Sequence, residues 1–85
     1  MVAVHNFILG NCTTVKNEVA TMGNVNETCI FPFIYKGVIH HNCTLYEWGV
    51  YWCATETNLT SPEYPEMIEG KWGYCSTNCP QEISK

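Results

Sequence analysis

Residues 29–37 read CIFPFIYKG, a short apolar and aromatic run that begins at a cysteine and stops at a Lys-Gly pair. Val38-Ile39-His40 follows directly, and a short connection ending in glycine allows it to pair back on residues 30–35 as the second strand of a β-hairpin. A further strand is predicted at residues 71–74. Strands this short, separated by turns every few residues, indicate a small β fold.

The N-terminal third of the chain has weaker patterns. Residues 5–10 are predicted to form a short strand. The apolar spacing across residues 15–22 predicts a helix, with Thr13 or Thr14 as its N-cap. Residues 24–28 are polar and are expected to be a linker.

Six cysteines give a chain of this length covalent support. An even number in 85 residues, with no Cys-x-x-Cys pair, indicates three disulfides formed in an oxidising compartment. Each bridge typically stabilises a fold by about 3–4.5 kcal/mol, which matters because so small a core barely offsets the conformational entropy lost on folding. The residue types alone leave the pairing open. The cysteines are Cys12, Cys29, Cys43, Cys53, Cys75 and Cys79.

Four N-glycosylation triplets also indicate a secreted, extracellular protein, with acceptors at Asn11, Asn26, Asn42 and Asn58. The first four residues lack the features of a signal peptide, so we expect a mature or excised fragment. No run approaches about 18 consecutive apolar residues, so we expect no membrane span.

The charge composition argues against nucleic acid as a partner. The net charge is −4, from eight acidic residues, all Glu, and four basic residues, all Lys. Without arginine the chain lacks the bidentate fork that recognises guanine edges and phosphates. It has no basic stripe either, so nucleic-acid binding is not expected.

Catalytic and metal-binding patterns are also missing from the sequence. Because Asp is absent, a Ser-His-Asp triad is impossible, and no nucleophile elbow, glycine-rich phosphate loop or His-Glu-x-x-His motif occurs. His40 and His41 are adjacent, so on a strand they point to opposite faces and do not readily hold one ion. We therefore expect no enzyme activity, no cofactor and no metal site.

Four motifs in sequence order resemble a fibronectin type II domain. They are Cys29-Ile30-Phe31-Pro32-Phe33-Ile34-Tyr35, Cys43-Thr44, Trp52-Cys53 and Lys71-Trp72-Gly73-Tyr74-Cys75. The resemblance implies a small disulfide-rich, kringle-like β fold in which two short antiparallel sheets surround an aromatic pocket. Residues 29–75 are then the domain, residues 1–28 an N-terminal extension and residues 76–85 a C-terminal tail.

The same resemblance implies the pairing of the cysteines. It gives Cys29–Cys53 and Cys43–Cys75, which leaves Cys12 with Cys79 to tie the extension across the base of the domain. In addition, Pro32 between two aromatic residues is a candidate for a cis peptide bond.

The resemblance further implies a ligand site, since fibronectin type II domains bind either collagen or gelatin, or choline phospholipids, in one aromatic cleft. A quaternary ammonium gains about 0.5–2 kcal/mol over each aromatic ring, and an extended Pro-rich peptide can lie on the same surface. His40 is expected at the pocket rim. The segment that carries the family's ligand-facing tyrosine is absent from this chain, and Tyr64 is the candidate for that role. The predicted pocket residues are Tyr35, His40, Trp52, Tyr64, Trp72 and Tyr74.

Two other functions stay open at this point. The acidic segment of residues 61–70 is a candidate contact surface for another extracellular protein, as in a secreted signal, toxin or protease inhibitor. Alternatively, the chain is a spacer module of a larger extracellular protein whose function lies elsewhere.

Overall fold

Two small antiparallel sheets make up the described part of the chain, which in this computed structural model comprises residues 12–19, 22–58, 60 and 63–82. One sheet has three strands in the order β1-β5-β4, and the other has two, β2 and β3. The strands are β1 (Thr14–Val15), β2 (Phe33–Tyr35), β3 (Val38–His40), β4 (Trp52–Ala54) and β5 (Trp72–Cys75). The predicted fold class is confirmed.

The hairpin β2–β3 forms where the sequence predicts it. Phe33 lies opposite His40 and Tyr35 opposite Val38. The connecting residues Lys36 and Gly37 have φ angles of 50° and 80°, as a two-residue type I′ turn requires. The peptide bond before Pro32 is cis, as expected. The hairpin therefore directs the side chains of Phe33 and Tyr35 to the same side, towards β4.

The N-terminal segment adds a strand to the domain instead of a helix. Thr14 of β1 pairs with Cys75, and Val15 pairs with Tyr74. The predicted helix over residues 15–22 is wrong in the described part of that range, where residues 16–19 and 22 are bends and irregular chain. Val19 is almost fully exposed, so the apolar spacing has no core to pack against, and pairing with β5 prevails.

Gly73 allows this N-terminal segment to lie close to β5. A Cβ atom at Gly73 would lie 2.4 Å from the Asn24 carbonyl oxygen and 2.6 Å from Cγ2 of Thr14. Asn24 N–H donates to the Trp72 carbonyl at 2.7 Å. Residues 24–28, expected as a linker, are thus held against the sheets. The strand predicted at residues 5–10 lies outside the described residues.

Three disulfides connect the segments with the pairing that the resemblance implies. They are Cys12–Cys79, Cys29–Cys53 and Cys43–Cys75, and no described cysteine is free. The bridges touch one another, since Cys12 Sγ lies 3.9 Å from Cys43 Sγ and Cys29 Sγ lies 3.9 Å from Cys75 Sγ. The three bridges therefore belong to one buried core cluster, together with side chains such as Phe33 and Trp52.

Trp52 and Phe33 are the largest fully buried side chains among the described residues. Both are fully buried, and their ring centroids are 5.2 Å apart. Trp52 Nε1–H donates to the Tyr46 carbonyl at 3.0 Å, which satisfies the polar atom of a buried indole. The described residues form no helix with the length and apolar character needed to cross a bilayer.

Candidate aromatic ligand site

An aromatic cluster lies where the ends of three strands meet. Tyr35 ends β2, Trp52 begins β4 and Trp72 begins β5. The ring of Tyr35 meets that of Trp52 edge-on at 5.1 Å, and Trp52 and Trp72 are 6.4 Å apart. The structure thus brings together three of the predicted pocket residues.

Trp48 fills the space between these rings and was missed by sequence reasoning. Its ring centroid lies 4.4 Å from that of Trp52, 4.6 Å from that of Trp72 and 5.8 Å from that of Tyr35. The available signal was the density of aromatic residues between positions 46 and 52. That signal did not show that the chain reverses direction after Leu45, where the Trp48 and Gly49 amides both donate to the Leu45 carbonyl.

Two of the predicted pocket residues belong to the core instead. Trp52 has no exposed surface and Tyr74 only 7%. Trp48 packs against Trp52 and Trp72 packs against Tyr74, with centroids 5.1 Å apart in the second pair. Neither residue therefore presents a ring face to solvent, and their place in a ligand pocket stays a prediction.

His40 is buried and lines a concavity beside β3, and its expected place at the rim of the aromatic pocket stays a prediction. It is 3% exposed and packs against Phe33 and Trp52. Its Nδ1 lies 2.6 Å from Glu82 Oε2, whereas Nε2 has no hydrogen-bond partner among the described residues. The C-terminal segment covers this histidine, since Glu82 N–H also donates to the Cys43 carbonyl.

Tyr64 lies apart from the aromatic cluster. It is 63% exposed, and among the described residues no ring packs against it. The chain returns to the domain immediately afterwards, where Ile34 N–H donates to the Pro65 carbonyl at 3.0 Å and Met67 N–H to the Ile34 carbonyl at 2.9 Å. The proposed correspondence of Tyr64 to a ligand-facing family tyrosine therefore has no contact to support it.

Glu47 provides the main polar feature of the cluster. Its carboxylate accepts from the Tyr35 hydroxyl at 3.1 Å and from Lys36 Nζ at 3.0 Å. The hydrogen bond from Lys36 holds the pKa of Glu47 below its ordinary value, and the same contact raises the pKa of Lys36. Glu47 has a φ of 73°, a left-handed conformation that is costly for a residue with a side chain. The cluster thus has a paired, ionised carboxylate at its margin.

The N-terminal segment covers part of Trp72. A Cβ atom at Gly23 would lie 2.9 Å from Cζ3 of Trp72, so the Gly23 backbone lies directly against that indole. Trp48 packs against the same indole. The accessible rings are therefore the half-buried Tyr35, Trp48 and Trp72, which we call the aromatic surface.

Two concavities lie away from the aromatic surface. One of about 400 Å³ lies beside β3, between Ile39, Tyr46 and Glu82. Another of about 410 Å³ lies between residues 56–58 and 66–68. Both concavities have the size that ligand sites usually have.

The glycosylation acceptors stay predictions. Asn26 and Asn58 are exposed and Asn42 is half-buried, whereas Asn11 lies outside the described residues. Asn58 Oδ1 accepts from the Thr60 hydroxyl at 2.7 Å.

Residues 29–75 match the fibronectin type II domain family. The chain belongs to this family and is a small, disulfide-rich binding module of the kind found in extracellular proteins. The family binds collagen or gelatin, or choline phospholipids. Over the described residues the chain contains this module and no catalytic domain.

Similar proteins include matrix metalloproteinase-9 of Canis lupus familiaris, 35% identical over 71 residues, which are 80% of this chain and 9% of that protein. The secretory phospholipase A2 receptor of Bos taurus is 33% identical over 78 residues, 87% of this chain and 5% of the receptor. Binder of sperm protein homolog 2 of Mus musculus is 26% identical over 54 residues, 64% of this chain and 34% of that protein. The chain thus spans a small part of each relative. No solved structure matches it significantly.

Proposed function

We propose that this module binds an extended, proline-rich peptide of the denatured-collagen type on its aromatic surface. The observation that carries the proposal is the position of Trp48, whose ring lies 4.4 Å from Trp52 and 4.6 Å from Trp72. A choline head group needs a hollow between such rings, and here an indole occupies it. What stays accessible is a shallow surface of half-buried rings. Extended proline-rich chains bind surfaces of this kind because little conformational entropy is lost.

The polar groups at the margin favour the same choice. In a phosphorylcholine site the Tyr35 hydroxyl would donate to the phosphate, but it donates to Glu47 instead. Lys36 is also paired with Glu47. A phosphate next to this carboxylate would meet like charge, at a cost that depends on the local dielectric. A collagen-like peptide brings no phosphate, so it avoids that repulsion.

The relatives leave the ligand class open. The similarity to a matrix metalloproteinase covers 80% of this chain, whereas that to a binder of sperm protein covers 64% at lower identity. Both similarities reach the module, so the distinction between the ligand classes depends on the residues of the aromatic surface.

The test is retention on immobilised gelatin. We expect the wild-type chain to be retained and the Trp48→Ala variant to lose about tenfold or more in affinity, which corresponds to ~1.4 kcal/mol. The control is Tyr64→Ala, which removes an exposed aromatic ring outside the cluster and should bind like wild type. Free phosphorylcholine should not elute the protein. Equal retention of Trp48→Ala and wild type, or elution by phosphorylcholine, would contradict the proposal.

The same variants separate the alternative in which residues 61–70 contact a protein partner. Tyr64 is exposed and is a candidate for such a contact. If the Tyr64→Ala variant loses gelatin binding while Trp48→Ala keeps it, the segment carries the function and the aromatic surface does not.

A further inference from the structure

The outer edge of β3 has unpaired backbone groups. Ile34 of β2 directs its own N–H to Pro65 and its carbonyl to Met67, so Ile34 and its partner Ile39 form the non-hydrogen-bonded pair of the hairpin. The N–H and carbonyl of Ile39 therefore point away from β2. Among the described residues neither has a hydrogen-bond partner. This is the donor and acceptor pair that one residue of an added strand would use.

The edge strand β3 is short, at three residues, but it carries no proline, charged residue or bulge. Natural edge strands carry charged residues, proline or a bulge that prevent pairing with another chain. β3 reads Val-Ile-His, and the side chain of Ile39 is 50% exposed. Beside it lies the concavity of about 400 Å³, which we call the β3 groove. Leu45, Tyr46 and Tyr51 supply its apolar wall.

One carboxylate gives the groove its charge. Glu82 lines it, and its Oε2 contacts His40 while about a third of its side chain stays exposed. Residues directly opposite each other in a β-ladder place their side chains on the same face. The residue of an added strand that lies opposite His40 therefore faces Glu82, where a basic side chain is favoured.

We propose that the β3 groove binds an extended segment of a partner protein as an additional strand, with an apolar side chain beside Ile39 and a Lys or Arg facing Glu82. A second copy of this chain fits less well, because each copy has a net charge of −4 and brings its own Glu82 to the edge. The β3 groove is distinct from the aromatic surface. The two are neighbours, since the ring centroid of Tyr46 in the groove lies 6.1 Å from that of Tyr35 in the aromatic surface.

The test uses a labelled, N-acetylated peptide of alternating valine and lysine, titrated into the full chain and followed by fluorescence anisotropy and the Ile39 amide NMR signal. We expect saturable binding that shifts this signal. Ile39→Pro removes an outward N–H, as edge positions tolerate, together with the isoleucine side chain, and should weaken binding about tenfold or more. Ile39→Val keeps the N–H and should bind normally. Trp48→Ala should also bind normally, which separates this site from the proposed gelatin site.

Several outcomes would overturn the inference. Wild-type affinity of the Ile39→Pro variant would show that the strand edge is not used, as would absence of any binding. If the proline variant does not fold, the test uses instead a peptide methylated on alternate backbone nitrogens. Undiminished binding of that peptide would likewise show that the strand edge is not used. Equal binding of a valine–glutamate peptide would refute the role of Glu82. A dimer in the absence of peptide, abolished by Ile39→Pro, would identify a second copy as the occupant.

Discussion

Replacing Trp48 by alanine should convert the aromatic surface into a choline-binding cage. The change removes the indole between Trp52 and Trp72 and breaks two close ring contacts, each worth about 0.5–1.5 kcal/mol beyond buried area. We expect a loss of about 2 kcal/mol in the free energy of unfolding and a fall of about 10 °C in Tm. The two uncovered indoles then offer a quaternary ammonium ~0.5–2 kcal/mol each. At the upper end of that range the two together correspond to a Kd of about 1 mM.

The assay is intrinsic tryptophan fluorescence during titration with phosphorylcholine, for the wild type and Trp48→Ala in parallel. The wild type should show no saturable change, whereas the variant should. Removing the carboxylate as well, in Trp48→Ala with Glu47→Gly, should strengthen binding because the phosphate no longer meets like charge. Mapping of the three disulfides checks that each variant is native. If the Trp48→Ala variant has native disulfides but shows no fluorescence response to phosphorylcholine, the idea that Trp48 blocks a choline site is refuted.

Three further predictions concern stability. Gly73→Ala should lower the free energy of unfolding by about 1–3 kcal/mol, measured by thermal unfolding, because its Cβ would clash with the Asn24 backbone; a neutral result would contradict the close approach. Replacing Cys12 and Cys79 together by alanine should lower the free energy of unfolding by about 3–4 kcal/mol, measured by denaturant titration. This loss is smaller than for a single bridge that closes a loop of the same length, because the other two bridges already shorten the loop. The Glu47 pKa is lowered on folding, so wild type should have a higher free energy of unfolding than Glu47→Gln at neutral pH. That difference should disappear as pH falls below about 4.5. A difference in the free energy of unfolding that stays constant with pH would argue against the ion pair.

The hairpin and the cysteine pairing were accessible from sequence for different reasons. The hairpin depends on local chemistry, since Lys36-Gly37 takes the positive φ angles of its turn and Phe33 supplies the buried end. The disulfides were accessible only through the family motifs, because residue types alone allow many connectivities. The erroneous helix at residues 15–22 reflects local spacing overridden by pairing between Thr14 and Cys75, distant in sequence.

The ligand site was only partly predictable, because its shape depends on residues outside the family motifs. Trp48 reaches the cluster through a turn in which Glu47 adopts a left-handed conformation, and nothing in the sequence indicates that a glutamate takes it. His40 is covered by Glu82, which lies 42 residues further along the chain in the C-terminal tail. Tyr35 and Trp72 were found because they lie within strands that the motifs define.

The most direct test of the proposed function is an NMR titration of the wild-type chain, following the indole N–H signals with a collagen-like peptide of Gly-Pro-Pro repeats and, separately, with phosphorylcholine. We expect the peptide to shift the signals of Trp48 and Trp72 in a saturable manner, with phosphorylcholine leaving them unchanged. Shifts caused by phosphorylcholine alone would contradict binding of an extended peptide on the aromatic surface.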